Sequence, residues 1–122
     1  MNINNKLKQY ELDFLDFEFI SCKANVEQRI DPTFFELKSD GTRQNRESVV
    51  NSLCSTERDR NIDITNFIIQ EIGPSTFLVN YESRNQEDQE HLARTSIWRE
   101  QDNDLKLLFH QATIIQPTVE LE

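Results

Sequence analysis

Glycine is scarce in this chain of 122 residues, with two in all, beside three prolines, two cysteines, two histidines and one tryptophan. Two glycines cannot build a dinucleotide fingerprint or a phosphate-cradling loop, both of which need several at fixed spacing. Cys22 and Cys54 share no CxxC spacing. A disulfide between them is possible in principle, but no secretion signal precedes them, so the expectation is a reduced, buried pair in a cytoplasmic protein. His91 and His110 lack the helical i,i+4 pairing of metal ligands, so no metal and no cofactor are expected. No GxSxG elbow presents a serine nucleophile. Basic residues are also in the minority, and the formal charge of −9 excludes a nucleic-acid partner, which would need a cationic surface. No apolar run approaches the ~20 residues of a membrane span, so no membrane partner is expected.

What is present is a core. Ile, Leu, Val and Phe together number 35, too many for a disordered chain. A single domain over residues 1–122 follows, with an acidic tail from about residue 116. From Asn4 onward Leu7, Tyr10, Phe14, Phe17 and Ser21 recur at steps of three and four. This spacing predicts one amphipathic helix, N-capped by Asn4 or Asn5. Pro32 can start or break a helical turn, and Thr33 to Leu37 reads as a short buried segment. Asn45, Glu47 and Ser48 open a second helix through Val49, Val50 and Leu53.

Beyond Arg60 the period changes to two. Strands are expected over 62–72, 76–83, 91–100 and 105–115, separated by turns at Gly73-Pro74, 84–90 and 101–104. Helices first and a four-strand antiparallel meander second make an α+β domain with helices on one face. Pairing Glu100 with Leu105 sets a register that places Leu92, Arg94, Ser96, Trp98, Leu107, Phe109, Gln111 and Thr113 on one face. Thr95, Ile97, Leu108, His110, Ala112 and Ile114 take the other. Neither face alternates apolar with charged as a solvated sheet does. Two half-apolar faces need two covers, and the helices supply one. The second is expected to be another copy of the sheet, giving a homodimer.

The first face mixes Trp98, Phe109 and Leu107 with Arg94, Ser96 and Gln111, as a ligand cavity does. Arg94 needs a carboxylate, either Glu36 or an anionic ligand. Tyr10 either donates a hydrogen bond into that cavity or edges the core. Trp98 serves as core, platform or both. His110 is a hydrogen-bonded core or interface histidine, or else a general base.

Phe35-Glu36 with Gly41, Arg46, Arg94-Thr95-Ser96-Ile97-Trp98-Arg99 and His110-Gln111-Ala112-Thr113 together resemble a family. It is a bacterial branch of small domains in the nuclear transport factor 2-like superfamily, related to polyketide-cyclase-like and ketosteroid-isomerase-like domains. The resemblance runs from about Leu7 to Ile115. It implies a cone-shaped, cystatin-like α+β fold, in which N-terminal helices pack on a curved antiparallel sheet around a pocket, and dimers through the sheet. Its enzymatic relatives work with pocket carboxylates and a tyrosine or histidine. Here the catalytic candidates are Glu36, His110 and Tyr10, and the ligand-binding candidates are Arg94, Ser96, Trp98, Phe109, Gln111 and Phe35. The leading expectation is a small-molecule pocket in a homodimer, taking an anionic or carbonyl ligand. The alternatives are an isomerase, cyclase or dehydratase acting on a small carbonyl compound, and a protein-interaction module.

Overall fold

The computed structural model describes residues 2–116, so the acidic tail expected from about residue 116 lies outside the described residues. The first helix, α1, spans Ile3–Asp13 and begins one turn earlier than its sequence signals suggest. Asn2, not Asn4 or Asn5, is the N-cap, with extended backbone and a side chain that accepts from the Asn5 amide at 2.8 Å. The expected continuous helix through Ser21 is also broken. After Asp13 the chain turns, and Asp16 caps a four-residue helix, α2 (Phe17–Ile20), by accepting from the Glu18 amide. The side chain of Asp59 accepts from the Phe17 amide at 2.8 Å, a tertiary bond that periodicity cannot foresee. Helix α3 (Lys23–Arg29) follows, and Arg29 fastens it to α1. Its guanidinium bonds Asp13 at 3.1 Å and stacks 3.4 Å from the Tyr10 ring.

The buried segment around Pro32 is a strand, β1 (Ile30–Leu37). Proline offers no N–H to a ladder, and the pairing of β1 skips from Ile30 to Phe35 across it. A short strand β2 (Arg43–Asn45) leads into α4 (Arg46–Cys54), with Asn45 as the N-cap read from sequence. The meander then runs β3 (Ile62–Gly73), β4 (Thr76–Asn85), β5 (His91–Gln101) and β6 (Asp104–Ile114). The last hairpin turns through Asp102 and Asn103, both at positive φ, the backbone a tight two-residue connection requires. The sheet order is β2-β1-β6-β5-β4-β3, antiparallel except where β1 lies parallel to β6. It curls around the helices, with Leu7, Ile20, Val26, Ile30, Val79, Trp98 and Leu105 at the centre of the core.

The expected register begins correctly and then slips. Glu100 faces Leu105 and Trp98 faces Leu107, but Ile97 faces Phe109 and Ser96 faces His110. Leu108 is an extra residue in β6, a bulge that reverses which side chains point inward. Buried positions step by two from Leu105 to Leu107, by three to His110, then by two to Ala112. The face grouping read from sequence is therefore corrected beyond the bulge: His110 turns inward beside Ser96 and Arg94, while Phe109 and Gln111 turn outward. No described helix is long and apolar enough to cross a membrane. Cys22 is exposed and only Cys54 is half-buried, which corrects the expectation of two buried thiols; both are free.

Candidate functional site

Between the concave face of the sheet and helices α1 and α4 lies a cavity of about 280 Å³. Its walls are mostly apolar, with Phe14, Ile30, Phe34, Val49, Leu92 and Leu107 among them. Four polar groups from the strands and the segment before β3 face it: Glu36, Arg60, Arg94 and His110. Glu11, Tyr81 and Ser83 form part of its inner wall.

The inner wall is self-satisfied. Glu11 sits in the apolar stripe of α1, four residues after Leu7, and is buried. Its two carboxylate oxygens accept from Tyr81 Oη at 2.8 Å and from Trp98 Nε1 at 2.7 Å. Burial first, and then the charge of Glu11, push the Tyr81 phenol well above its ordinary pKa, so it stays a donor. This network pins α1 onto β4 and β5 and closes one end of the cone.

The cationic wall is not satisfied in the same way. Arg94 projects from β5, and its Nε donates to Ser83 Oγ at 2.8 Å. Glu36, the carboxylate expected to cap it, pairs instead with His110: Nδ1 lies 2.6 Å from Glu36 Oε2. Arg60 donates one Nη to the Phe14 carbonyl at 3.1 Å, while its buried Nε has no partner. Among the described residues neither Arg94 nor Arg60 forms an ion pair with a carboxylate. Burial, and second the neighbouring Arg94 guanidinium, push the Arg60 pKa down. Two like charges thus face one space with no carboxylate bonded to either; Glu36 is near enough to Arg60 to offset part of their repulsion but is itself held by His110.

The structure sorts the candidates read from sequence. Arg94, Glu36 and His110 come together at the cavity. Ser96 and Trp98 are fully buried on the same face; Trp98 is a core residue stacked on Phe14, and Ser96 Oγ has no hydrogen-bond partner. Tyr10 does not reach the cavity: it donates to Asp104 at 2.6 Å, and burial and then that bond push its pKa up to about 12. Phe35, Phe109 and Gln111 lie on the outer face, where Phe35 and Phe109 meet edge to face at 5.0 Å. Sequence reasoning missed Arg60, Glu11, Tyr81 and Ser83. Glu11 was visible as an acid inside an apolar stripe, and Tyr81 as part of an inward alternation with Val79. Arg60 stands before a strand, where no period marks it. Among the described residues no three His, Cys, Asp or Glu side chains converge as a metal site.

No protein-family model matches the chain, and no curated protein matches it. Solved structures do. The chain is similar to a nuclear transport factor 2-like protein from Cytophaga hutchinsonii, at 16% identity and a TM-score of 0.79, over 94% of this chain and 100% of that one. It is similar to a candidate ketosteroid isomerase from Parabacteroides distasonis, at 12% identity and a TM-score of 0.72, over 95% and 90% of the two chains. An uncharacterised protein with a cystatin-like fold from Caulobacter vibrioides matches at 11% identity and a TM-score of 0.71, over 91% and 88%. At such identities the likeness establishes the fold.

Proposed function

We propose that this chain, built on the nuclear transport factor 2-like fold, is a pocket domain that binds a small carboxylate and works as a homodimer. One observation carries the reading: two guanidinium groups line a half-open, mostly apolar cavity and neither forms an ion pair with a carboxylate among the described residues. Both guanidiniums are half-buried, and a cation drawn out of water without a bonded counter-ion is costly; an anionic ligand supplies the contact that Glu36 and Glu11, committed to other donors, do not. Arg94 keeps both Nη groups for a fork-on-carboxylate contact, and Arg60 faces it as the second anchor. At ~30 Å³ per water in the liquid, the cavity suits an occupant of about ten non-hydrogen atoms. The apolar walls favour a hydrocarbon body behind the charged head. Two free thiols accord with a reducing, cytoplasmic setting.

The test is calorimetric and thermal-shift titration with a panel of small carboxylates, matched alcohols and amides, and inorganic phosphate. Carboxylates should stabilise the protein and their uncharged analogues should not. Arg94→Gln should weaken binding by about 30-fold or more, the loss of a charge-assisted hydrogen-bonded contact. Equal binding of carboxylate and amide, or an unaffected Arg94→Gln variant, would overturn the reading.

A second reading, proton transfer on a small carbonyl compound, draws on the 2.6 Å contact between His110 and Glu36 in the cavity wall. An imidazole oriented by a carboxylate is a competent general base. Deuterium exchange at the carbon beside a ketone, followed by NMR and lost in His110→Gln, would support it. No exchange above the solvent rate would remove it.

A further inference from the structure

We propose that the cavity takes up a proton together with its anion, and that His110 holds it. This rests on the carboxylate-pocket reading and specifies how that site is regulated.

The groups facing His110 come from every element packed around it. Glu36 on β1 bonds Nδ1. Arg94 on β5 lies on the same face, anchored by Ser83 of β4. Arg60, Glu11 and Tyr81 share the cavity wall, with Lys38 and Glu90 also lining it. Two guanidiniums and Lys38 therefore face three carboxylates, Glu36, Glu11 and Glu90, a balanced set. An entering carboxylate tips this balance negative in a space only partly open to water, where unbalanced charge is costly.

Histidine is the one side chain there that ordinarily changes charge between about pH 5 and 8. Its Nδ1 is committed to Glu36, which leaves Nε2 as the ring nitrogen available to an occupant. With a neutral ring, Nδ1–H donates to Glu36 and the Nε2 lone pair meets the anion. With a protonated ring, Nδ1–H still donates to Glu36 and Nε2–H donates to the anion. The bound anion therefore favours the imidazolium, and the ring's affinity for its proton rises on binding. By linkage, carboxylate affinity is greatest at low pH. It falls by about tenfold per pH unit between the free-state and bound-state pKa of the ring, and is flat outside that window.

Benzoate is a suitable probe, being a carboxylate on a small apolar ring that stays ionised throughout the range. Titration calorimetry from about pH 5.5 to 8.5, in cationic buffers of different ionisation enthalpy, should show affinity falling with pH. Heats should depend on the buffer and report uptake of up to one proton per benzoate. His110→Gln, whose amide can still bond Glu36, should bind with a flat pH profile and no buffer dependence, and Arg94→Gln should lose binding at every pH. In the wild-type protein, NMR titration should show the His110 pKa rising by about one unit or more with saturating benzoate, with His91 as the unaffected control. Binding that needs Arg94 yet shows no pH dependence and no proton uptake would overturn this proposal and leave the pocket reading standing. A pH dependence that survives in His110→Gln would overturn it too. No saturable binding of benzoate or of butyrate at any pH would overturn both.

Discussion

Glu11 shows how one residue can hold a cone closed. It is an acid within an apolar helical stripe, and both of its oxygens are consumed by donors from two different strands. Replacing it by alanine leaves the Tyr81 hydroxyl and the Trp98 indole N–H buried without acceptors. Glu11→Ala should lower the unfolding free energy by on the order of 3 kcal/mol in urea titrations followed by Trp98 fluorescence. Glu11→Gln keeps one acceptor and should cost less. A change within error for both would show that the network is decorative. The two phenols, one bonded to Glu11 and the other to Asp104, carry a pH signature. Tyr10 and Tyr81 are the only tyrosines, and both are held above their ordinary pKa, Tyr10 at about 12 and Tyr81 higher by direction. Tyrosinate absorbance should therefore stay low in the native protein well past the usual ~10. Because the folded-state values are raised, the stability these phenols contribute is complete below the unfolded-state value. It is lost as pH climbs toward 12 and beyond. Ordinary titration of both rings near pH ~10 in the folded protein would contradict the geometry.

At the scale of elements, the decisive feature is one extra residue in β6. Without the bulge at Leu108 the strict alternation set by the hairpin turn would carry Phe109 and Gln111 inward and His110 outward. With it, Leu107 is core and Phe109 lies half-buried on the outer face, although both are large apolar residues two positions apart. A pair of substitutions reads this out. Leu107→Ala should cost about 2–4 kcal/mol, as a truncation in a packed interior does. Phe109→Ser should cost roughly 1 kcal/mol or less in the monomer, since the side chain lies on the open face. Chemical denaturation of the two variants side by side gives the answer, and equal losses would place both residues in the core. The bulge also brings a histidine to the carboxylate on β1, so the pairing of His110 with Glu36 is a property of strand geometry.

For the whole molecule, the helices cover one side of the sheet and leave the other bare. A cross-strand row runs over that outer face from Phe35 through Phe109 and Ile97 to Leu78. Beside it stand Ile68 and Ile72, 58% and 48% exposed. One flanking row, Gln111, Thr95 and Asn80, is uncharged, and the other holds Lys106, Arg99 and Thr76. A self-complementary, mostly uncharged face of this kind suits a second copy packing by two-fold symmetry. Sedimentation velocity at micromolar concentration should give twice the 14.4 kDa chain mass, and Phe109→Asp should shift it to the monomer without loss of secondary structure. A wild-type monomer at all concentrations would remove the dimer and favour a different partner for this surface. The surplus of acid that gives −9 is carried largely by helices and loops, so repulsion between copies is concentrated away from the sheet.

The sequence by itself determined that helices precede the meander, the α4 cap at Asn45, and the four meander strands with their turns. These depend on period-two alternation, caps and turn residues, all local physics. It also singled out Arg94, Glu36 and His110, because polar groups in apolar strands stand out. What it left undecided was which of them meet. The predicted Arg94–Glu36 pair became His110–Glu36 because a bulge moved a histidine inward, and a bulge has no reliable mark in a pattern of Leu107-Leu108-Phe109. The single helix expected through Ser21 became two because the chain turns after Asp13 and Asp59, far away in the chain, bonds the Phe17 amide. Arg60 entered the cavity because the sheet curls, not because its neighbours announce it. Local periodicity fixes which residues belong to a strand or helix; only the curvature, the bulge and the packing decide which of them share a space.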